Sequence, residues 1–220
     1  MPNDEALLEQ AGKKIRLPVS KEQFRIFVFG PALNPSEEVE LPTSQPADHD
    51  GLQKHAKYLR YLTAKKLREA GWTVDFGETN SIQQFWSSLG IKNPAAMELS
   101  HAKKLCGAII IFPTSVGAIS ELGLFVGFGS LAKKTLAIVH SEFRDHHSFF
   151  RIGLLKMLKI RNGTFEFEDY INAQKCIELA LEFVEDQWTK LSLDDDLINE
   201  AQLLTLERKG GSFEKGSGPS

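Results

Sequence analysis

The 220-residue sequence contains little cysteine, no long apolar run and no block of basic residues. Its two cysteines, Cys106 and Cys176, belong to no CxxC pair and no Cys/His cluster. Isolated thiols of this kind indicate buried cysteines in a reducing compartment rather than disulfides or a zinc site. Because no apolar stretch approaches the ~20 residues that a membrane span needs, we expect no membrane association.

The charges are nearly balanced, with a formal net charge of −3 at pH 7. A nucleic-acid reader usually shows a basic stripe, so direct nucleic-acid binding is not expected. Lys156, Lys159 and Arg161 form a short basic patch of the kind that is usually a solvated face. The first ten residues are acidic and polar, unlike a secretory signal, and we expect a cytoplasmic protein.

Predicted strands and helices alternate along the chain. Phe24 to Phe29 is aromatic and β-branched and runs directly into Gly30-Pro31, which indicates a buried strand that ends in a tight turn. Residues 107–112 are apolar without alternation, as is typical of a central parallel strand covered on both faces. The alternation predicts an α/β fold with a mostly parallel sheet flanked by helices, of the flavodoxin or Rossmann type.

The remaining predicted elements follow from apolar periodicity and from turn residues. The strands are at 72–76, 135–139 and 164–167, and the helices are at 52–70, 82–89, 94–105, 119–131, 148–158, 169–190 and 193–208. The predicted organisation is an N-terminal extension at 1–20, an α/β domain at 21–190, a C-terminal helix at 191–209 and a disordered tail at 210–220.

The turn after the third predicted strand has the composition of a ligand-binding loop. In open α/β sheets, ligands bind beyond the carboxyl ends of the strands. Gly117 allows close backbone approach, and Ser115 could cap the helix that follows. Exposed amides at the start of that helix could hold a phosphate or a sugar hydroxyl.

Glu121 is predicted to lie in the first turn of the same helix, where the helix dipole favours the ionised carboxylate. Cleavage of a nucleoside bond builds positive charge on the ribose ring. A nearby carboxylate can stabilise that charge or form a covalent glycosyl ester. Spacing alone leaves a second interpretation open, in which Glu121 is only a favourable first-turn charge.

Several other polar residues lie near the predicted strand ends or carry possible ligand atoms. Asp75, Glu78 and Asn80 follow the second predicted strand, where they either reach the crevice or form a solvated strand end. Glu98, on the helix before the third strand, is expected at the surface. The spacing of four histidines matches no common metal site, so no metal is expected: His101, His140, His146 and His147.

Two segments resemble the nucleoside 2-deoxyribosyltransferase family. Ile26-Phe-Val-Phe-Gly-Pro31 is similar to the family's first strand and loop, and Ser115-Val-Gly-Ala-Ile-Ser-Glu-Leu-Gly123 is similar to its Asp-x-Gly-x-x-x-Glu-x-Gly signature. The resemblance implies that Glu121 is the nucleophile. It places Ser115 where the family has an aspartate that contacts the sugar or assists catalysis.

Residues 109–125 also resemble the deoxyribosyltransferase-like effectors of bacterial retrons. The shared pattern is Ile-Ile-x-Phe-Pro-x-Ser-x-Gly-x-x-x-Glu-Leu-Gly-x-Phe, and the similarity continues through Ser148-Phe-Phe-Arg-Ile-Gly153. The same loop is similar to the Pro-Gly-Gly-x-Gly-Thr-x-x-Glu motif of cytokinin-activating phosphoribohydrolases. Both resemblances imply N-glycosidic chemistry or nucleotide binding.

We therefore predict an N-ribosyl hydrolase or transferase that acts on a nucleoside, a nucleotide or NAD as substrate, without a cofactor. The retron resemblance implies an effector in antiphage defence, with a defence-system partner protein, and the deoxyribosyltransferase resemblance implies a homo-oligomer. The alternative is a non-catalytic nucleotide sensor on the same fold. Glu121 is the predicted catalytic residue, and the predicted substrate-binding residues are Phe29, Gly30, Pro31, Asp75, Glu78, Pro113, Ser115, Gly117 and Ala118.

Overall fold

The computed structural model describes residues 20–34, 38–42 and 44–210, with side chains up to Leu191. Within these residues, one sheet of parallel strands contains β1 (Arg25–Phe29), β2 (Thr73–Asp75), β3 (Cys106–Ile111), β4 (Thr135–His140) and β5 (Thr164–Glu168). The strand order is β2-β1-β3-β4-β5, which is the flavodoxin-like order. The predicted α/β fold is confirmed.

Helices connect and flank the strands. They are α1 (His49–Glu69), α2 (Asn80–Ser88), α3 (Pro94–Lys104), α4 (Val116–Gly127), α5 (Gly129–Ala132), α6 (Lys156–Ile160) and α7 (Ala173–Gly210). A 3₁₀ helix covers Ser141–Asp145, and a π-helical segment covers Phe150–Leu155. None of the helices in the described residues is long and apolar enough to cross a membrane.

Local sequence explains where the helices around the site begin. The Asp48 carboxylate accepts a hydrogen bond from the Gly51 amide at 2.7 Å and so caps α1. The Asn93 side chain caps α3 through the Ala96 amide, and Pro94 occupies the first helical position. Both arrangements satisfy amides that the helix itself cannot pair.

The central strand β3 positions α4. Ile109 and Ile111 are fully buried in one apolar cluster with Leu122 and Phe125 of α4. Burial of such side chains contributes roughly 1.5–3 kcal/mol each. This packing holds α4 against the sheet and thereby sets the position of Glu121 on the same helix.

Four of the predicted helices differ from the observed ones. The helix predicted at 119–131 begins earlier, at Val116, and is divided in two by the extended backbone of Phe128. The segment predicted as a helix at 148–158 is largely π-helical before α6. The helices predicted at 169–190 and 193–208 are one helix, α7, because neither glycine nor proline interrupts that stretch.

One compact unit spans Lys21–Trp188, close to the predicted domain at 21–190. Residues 1–19 and 211–220 lie outside the described residues. They contain nearly all of the predicted N-terminal extension and of the predicted disordered tail.

Candidate active site

The carboxyl ends of β1 and β3 lie side by side. Phe29 pairs with Ile111, and the Phe112 amide donates a hydrogen bond of 3.1 Å to the Phe29 carbonyl. In this strand order the chain reverses direction across the sheet between β1 and β3, which is where flavodoxin-like folds bind ligands. The structure therefore brings together the predicted residues Phe29, Gly30 and Pro31 of one strand end and Pro113, Ser115, Gly117 and Ala118 of the other.

Arg60, on α1, is 1% exposed. Its charge acts on the carboxyl groups of Glu78, Glu98 and Glu121. Its guanidinium forms two parallel hydrogen bonds of 2.6 and 2.7 Å with the Glu78 carboxylate. It also donates to the carbonyls of Val28 at 3.0 Å and Pro31 at 2.9 Å. A bidentate pair with additional carbonyl acceptors satisfies a buried guanidinium. Arg60 therefore ties α1, β1 and the loop after β2 together.

Glu78 is held in the ionised form by Arg60. Burial alone would raise the pKa of the Glu78 carboxyl, but the hydrogen bonds and the charge of Arg60 outweigh burial and lower it. Both carboxylate oxygens of Glu78 are engaged by Arg60, and one also accepts from the Leu33 amide at 3.4 Å. The predicted substrate-binding residue Glu78 thus orders the site through Arg60 and the loop after β1.

Gly30 makes room for Arg60. Its φ of +155° is in the region that favours glycine, and a Cβ atom there would lie 3.2 Å from Cδ of Arg60 and 3.4 Å from Cβ of Phe112. A larger residue would push Arg60 out of its position. Gly30 is therefore required at the end of β1 because Arg60 packs directly against it.

The loop between β3 and α4 presents unpaired polar groups. Ser115 caps α4, as predicted, and its Oγ accepts a hydrogen bond from the Ala118 amide at 3.2 Å. Thr114 is 2% exposed, and its Oγ1 has no hydrogen-bond partner in the described residues. Gly117 is exposed, and a Cβ atom there would meet only Ser115 Oγ, at 3.9 Å. The first amides of α4 have no acceptor within the helix, and a buried, unpartnered hydroxyl lies in the loop before them.

Glu121 lies in the second turn of α4, not in the first turn as predicted. Its Oε2 is buried and has no hydrogen-bond partner among the described residues. Burial raises the pKa of the Glu121 carboxyl to about 7, the charges of Glu98 and Glu78 add to the rise, and the charge of Arg60 opposes it. The prediction that the helix dipole keeps Glu121 ionised was wrong, because the dipole effect fades after the first turn and burial dominates.

Glu98, which was expected at the surface, belongs to the same cluster. Burial raises the pKa of its carboxyl, as does the charge of Glu78, while Arg60 opposes the rise. Its side chain approaches the backbone of Gly77 so closely that a Cβ atom at Gly77 would overlap the Glu98 carboxylate. Two carboxyl groups with raised pKa values, Glu98 and Glu121, thus share one partly buried site.

Asp75 is drawn into a different network. Both of its carboxylate oxygens accept hydrogen bonds of 2.8 Å from Arg25, and one also contacts His101 Nε2 at 2.8 Å. These partners outweigh burial and lower the pKa of the Asp75 carboxyl. The Trp86 indole donates to the other nitrogen of His101 at 3.2 Å. Both Asp75 oxygens are therefore already hydrogen-bonded within the protein, and a substrate that bound Asp75 would have to displace Arg25 or His101.

Asp75, His101 and Cys106 each offer one ligand atom within 4.8 Å of the other two. The Asp75 oxygens and both nitrogens of His101 are already hydrogen-bonded to protein groups. Burial raises the pKa of the Cys106 thiol to about 12, which disfavours the thiolate that binds metals. The three residues form a packed polar cluster, and the absence of a metal cofactor stays a prediction.

Arg60 was missed by sequence reasoning, although α1 contains the signal for it. The apolar face of α1 includes Leu52, Ala56, Leu59, Thr63 and Leu67. Arg60 follows Ala56 by four residues and precedes Thr63 by three, so helical spacing places its cation within that face. A charge inside an apolar stripe indicates a buried partner.

The fold and this carboxylate cluster define an α/β protein with partly buried ionisable groups at the carboxyl ends of its first and third strands. The family described as "STM3845 retron effector protein" matches residues 56–209, well over half of the chain. The chain therefore belongs to this retron effector family, and the predicted resemblance to retron effectors is confirmed. No curated protein matches the chain significantly.

Proposed function

We propose that this retron effector is an enzyme that breaks N-glycosidic bonds, with Glu121 as the carboxylate that acts on the sugar. The observation that carries the proposal is the Glu121 carboxyl itself, on the helix that follows β3, with a buried and unpartnered Oε2. A buried polar atom without a partner costs roughly 1–3 kcal/mol, a cost that a ligand can remove by pairing with it.

The chemistry needs a carboxylate near the anomeric carbon. As the bond to the base breaks, its electron pair leaves with the base, and positive charge develops on the sugar ring. Ionised Glu121 stabilises this charge or forms a covalent glycosyl ester, which water or another acceptor then resolves. Because the pKa of Glu121 is about 7 in the free protein, the reactive ion is accessible near neutral pH.

Glu98 supplies the second function that such a reaction needs. The leaving base departs more easily when it receives a proton. A carboxyl group whose pKa is raised by burial keeps its proton at higher pH than an ordinary glutamate does. In the free protein the charge of Glu98 helps to raise the pKa of Glu121, so the proton that the two carboxyl groups share resides on Glu121. We propose that this proton passes to Glu98 when the substrate binds, so that ionised Glu121 acts on the sugar while Glu98 protonates the leaving base.

The start of α4 fits the polar part of the substrate. Its free amides are suited to a phosphate or a sugar hydroxyl, and the unpartnered Thr114 hydroxyl lies in the same loop. Gly117 leaves the approach open. These groups support a nucleoside, a nucleotide or NAD as the substrate. We propose that depletion of such a metabolite halts growth in antiphage defence.

The proposal is tested by incubating the protein separately with NAD, nucleoside monophosphates and deoxynucleosides and separating the products by chromatography. Wild-type protein is expected to release a free base from one of these classes. Glu121→Gln is expected to release none. Identical product profiles for the two proteins would rule out Glu121 as the catalytic residue.

A non-catalytic nucleotide sensor is the second candidate, favoured by one observation. Ser115 stands where the deoxyribosyltransferase family has an aspartate, and its hydroxyl accepts a hydrogen bond from the Ala118 amide as the cap of α4. The family's aspartate is therefore replaced by a helix-capping serine. Calorimetry separates the two functions. A sensor binds a nucleotide with the same affinity before and after long incubation and leaves it intact, whereas the enzyme converts it.

A further inference from the structure

A buried histidine, His101, lies one helical turn after Glu98 on α3. Its side chain is 2% exposed. Residues three positions apart on a helix are neighbours on one face, so His101 and Glu98 extend toward the same part of the protein. The reaction proposed above uses Glu98 and gives His101 no role.

Both ring nitrogens of His101 are hydrogen-bonded inside the protein. The Trp86 indole donates to Nδ1 at 3.2 Å, and Nε2 lies 2.8 Å from Oδ2 of Asp75. Because an indole N–H is only a donor, Nδ1 is the acceptor, and Nε2 carries the proton that it donates to the Asp75 carboxylate. The ring therefore has one tautomer and one orientation, and neither nitrogen is left for a substrate.

These contacts fix α3 to three other elements. Trp86 belongs to α2, Asp75 belongs to β2, and the Phe27 ring of β1 has its centroid 5.0 Å from that of the imidazole. Hydrogen bonds depend on direction as well as distance, whereas apolar packing does not. His101 therefore supplies the directional contacts of the buried face of α3, whose other two buried residues are apolar: Met97 and Ala102.

The position of the Glu98 carboxyl depends on the position of α3. Among the residues that the structure describes, none forms a hydrogen bond or an ion pair with this carboxyl. It rests instead against the backbone of Gly77, two residues after Asp75. Helix α3 thus meets the end of β2 twice, through His101 at Asp75 and through Glu98 at Gly77. A shift of α3 there would move Glu98 relative to Glu121 on α4.

We propose that His101 is a positioning residue of the candidate site, whose two hydrogen bonds hold α3 against the end of β2 and so keep Glu98 next to Glu121. Asp75 then serves the site indirectly, as the acceptor that orients His101. The catalytic part of this role rests on the proposed function, whereas the effect on the Glu121 carboxyl needs no substrate. The charge of Glu98 contributes to the raised pKa of Glu121, so displacement of Glu98 lowers that pKa.

The first test is a carbon-13 NMR titration of the Glu121 carboxyl in the full chain. His101→Phe keeps an aromatic ring and removes both hydrogen bonds. It is expected to shift the Glu121 titration to lower pH, as Glu98→Gln does, but by a smaller amount. In the double variant His101→Phe/Glu98→Gln, the shift should not exceed that of Glu98→Gln alone, because His101 acts through Glu98.

The matched control is Thr135→Val. This change also removes a buried hydrogen bond, of 2.9 Å from Thr135 Oγ1 to the Leu131 carbonyl, but at the amino end of β4, away from the carboxyl ends of the strands. The control should leave the Glu121 titration where it is in the wild-type protein.

The second readout is the rate of base release, which tests the catalytic part. His101 has no free nitrogen for the substrate, so His101→Phe should lower kcat by roughly ten- to a hundredfold through misplacement of Glu98 and leave KM nearly unchanged. In the Glu98→Gln background the same change should cause no further loss. If wild-type protein releases no base from any substrate class, the proposed function fails, while the NMR titration still decides the role of His101.

Three results would overturn the proposal. The first is a Glu121 titration in His101→Phe that equals that of wild type. The second is a shift that persists undiminished in the Glu98→Gln background, which would mean that the ring acts on Glu121 by another route. The third is an equal shift in Thr135→Val, which would reflect general loosening of the fold. If His101→Phe does not melt cooperatively, Trp86→Phe takes its place, since it removes the indole donor and keeps an aromatic ring, and the same criteria apply to a smaller shift.

Discussion

Arg60 and Glu78 face each other beneath the candidate site in two parallel contacts of 2.6 and 2.7 Å. The same guanidinium donates to the carbonyls of Val28 and Pro31, at the end of β1. Its positive charge opposes the rise in the pKa of Glu121 that burial, Glu98 and Glu78 cause. One buried cation thus holds the end of β1 in place, keeps Glu78 ionised and limits the rise in the pKa of Glu121.

Replacing Arg60 is expected to destabilise the fold. In Arg60→Met, Glu78 loses its partner and the carbonyls of Val28, Gly30 and Pro31 lose a donor, at a cost of about 3 kcal/mol. This value is at the low end for buried pairs because the Glu78 side chain is 34% exposed. Urea unfolding measures it, and exposed Lys65→Met on the same helix should change stability by less than ~0.5 kcal/mol. Equal stability of the two variants would show that the pair is not structural.

Gly30 and Gly71 form a matched pair for testing the close approach to Arg60. Both have positive φ, but a Cβ atom at Gly71 meets nothing within 4 Å. Gly71→Ala should therefore cost only the backbone term, roughly 1–2 kcal/mol. Gly30→Ala should cost at least ~1 kcal/mol more, since its Cβ crowds Arg60 and Phe112. Equal losses in thermal or urea unfolding would mean that the site tolerates a side chain there.

The pKa of Glu121 predicts a pH dependence of stability. Below about pH 4.5 the carboxyl is protonated in both the folded and the unfolded chain, and above about pH 7 it is ionised in both. Between these values the folded state retains a proton that the unfolded state has lost. The free energy of unfolding contributed by this group therefore falls as pH rises through that window, by on the order of 3 kcal/mol.

Glu121→Gln isolates this effect, because glutamine stays neutral at every pH. The variant is expected to lose that pH dependence and to be more stable than wild type above about pH 7. The matched control is Glu166→Gln, at an exposed position of β5. The control should follow the wild-type curve. Parallel unfolding curves for wild type and Glu121→Gln across this window would contradict the raised pKa.

Glu98→Gln is expected to lower the pKa of Glu121, since it removes a negative charge that raises it. The direction is measurable by NMR titration of the carbon-13 signal of the Glu121 carboxyl. Glu166→Gln, remote from the cluster, again serves as the control. If the Glu121 titration is unmoved or shifts upward in Glu98→Gln, the two carboxyl groups do not interact as described.

Local sequence patterns predicted the sheet and placed Glu121 on the helix after β3, although in its first turn rather than its second. Gly30-Pro31 and the turn before α4 contain the residue types that parallel strand ends require, so both sides of the crevice were predicted. The cap at Ser115 was predicted for the same reason, because capping depends only on residues three positions apart.

The electrostatics could not be predicted in the same way, because they depend on contacts between distant segments. Glu98 is partly buried because Gly77, 21 positions earlier, has no side chain to keep it away. The sequence could not show that Asp75 binds Arg25 and His101 instead of facing a substrate, because both partners are distant in the chain. Burial raises the pKa of Glu121, and the extent of that burial cannot be predicted from residue spacing within one helix.

The central claim is that the Glu121 carboxyl is the reacting group of an N-glycosidic-bond enzyme. The most direct measurement is the rate of free-base release from the preferred substrate class by wild type, Glu121→Gln and the surface control Glu166→Gln, with folding checked by thermal melting. We expect the control to match wild type and Glu121→Gln to be slower by roughly a thousandfold or more, as for the loss of a nucleophile. Base release by Glu121→Gln at the wild-type rate would contradict the account.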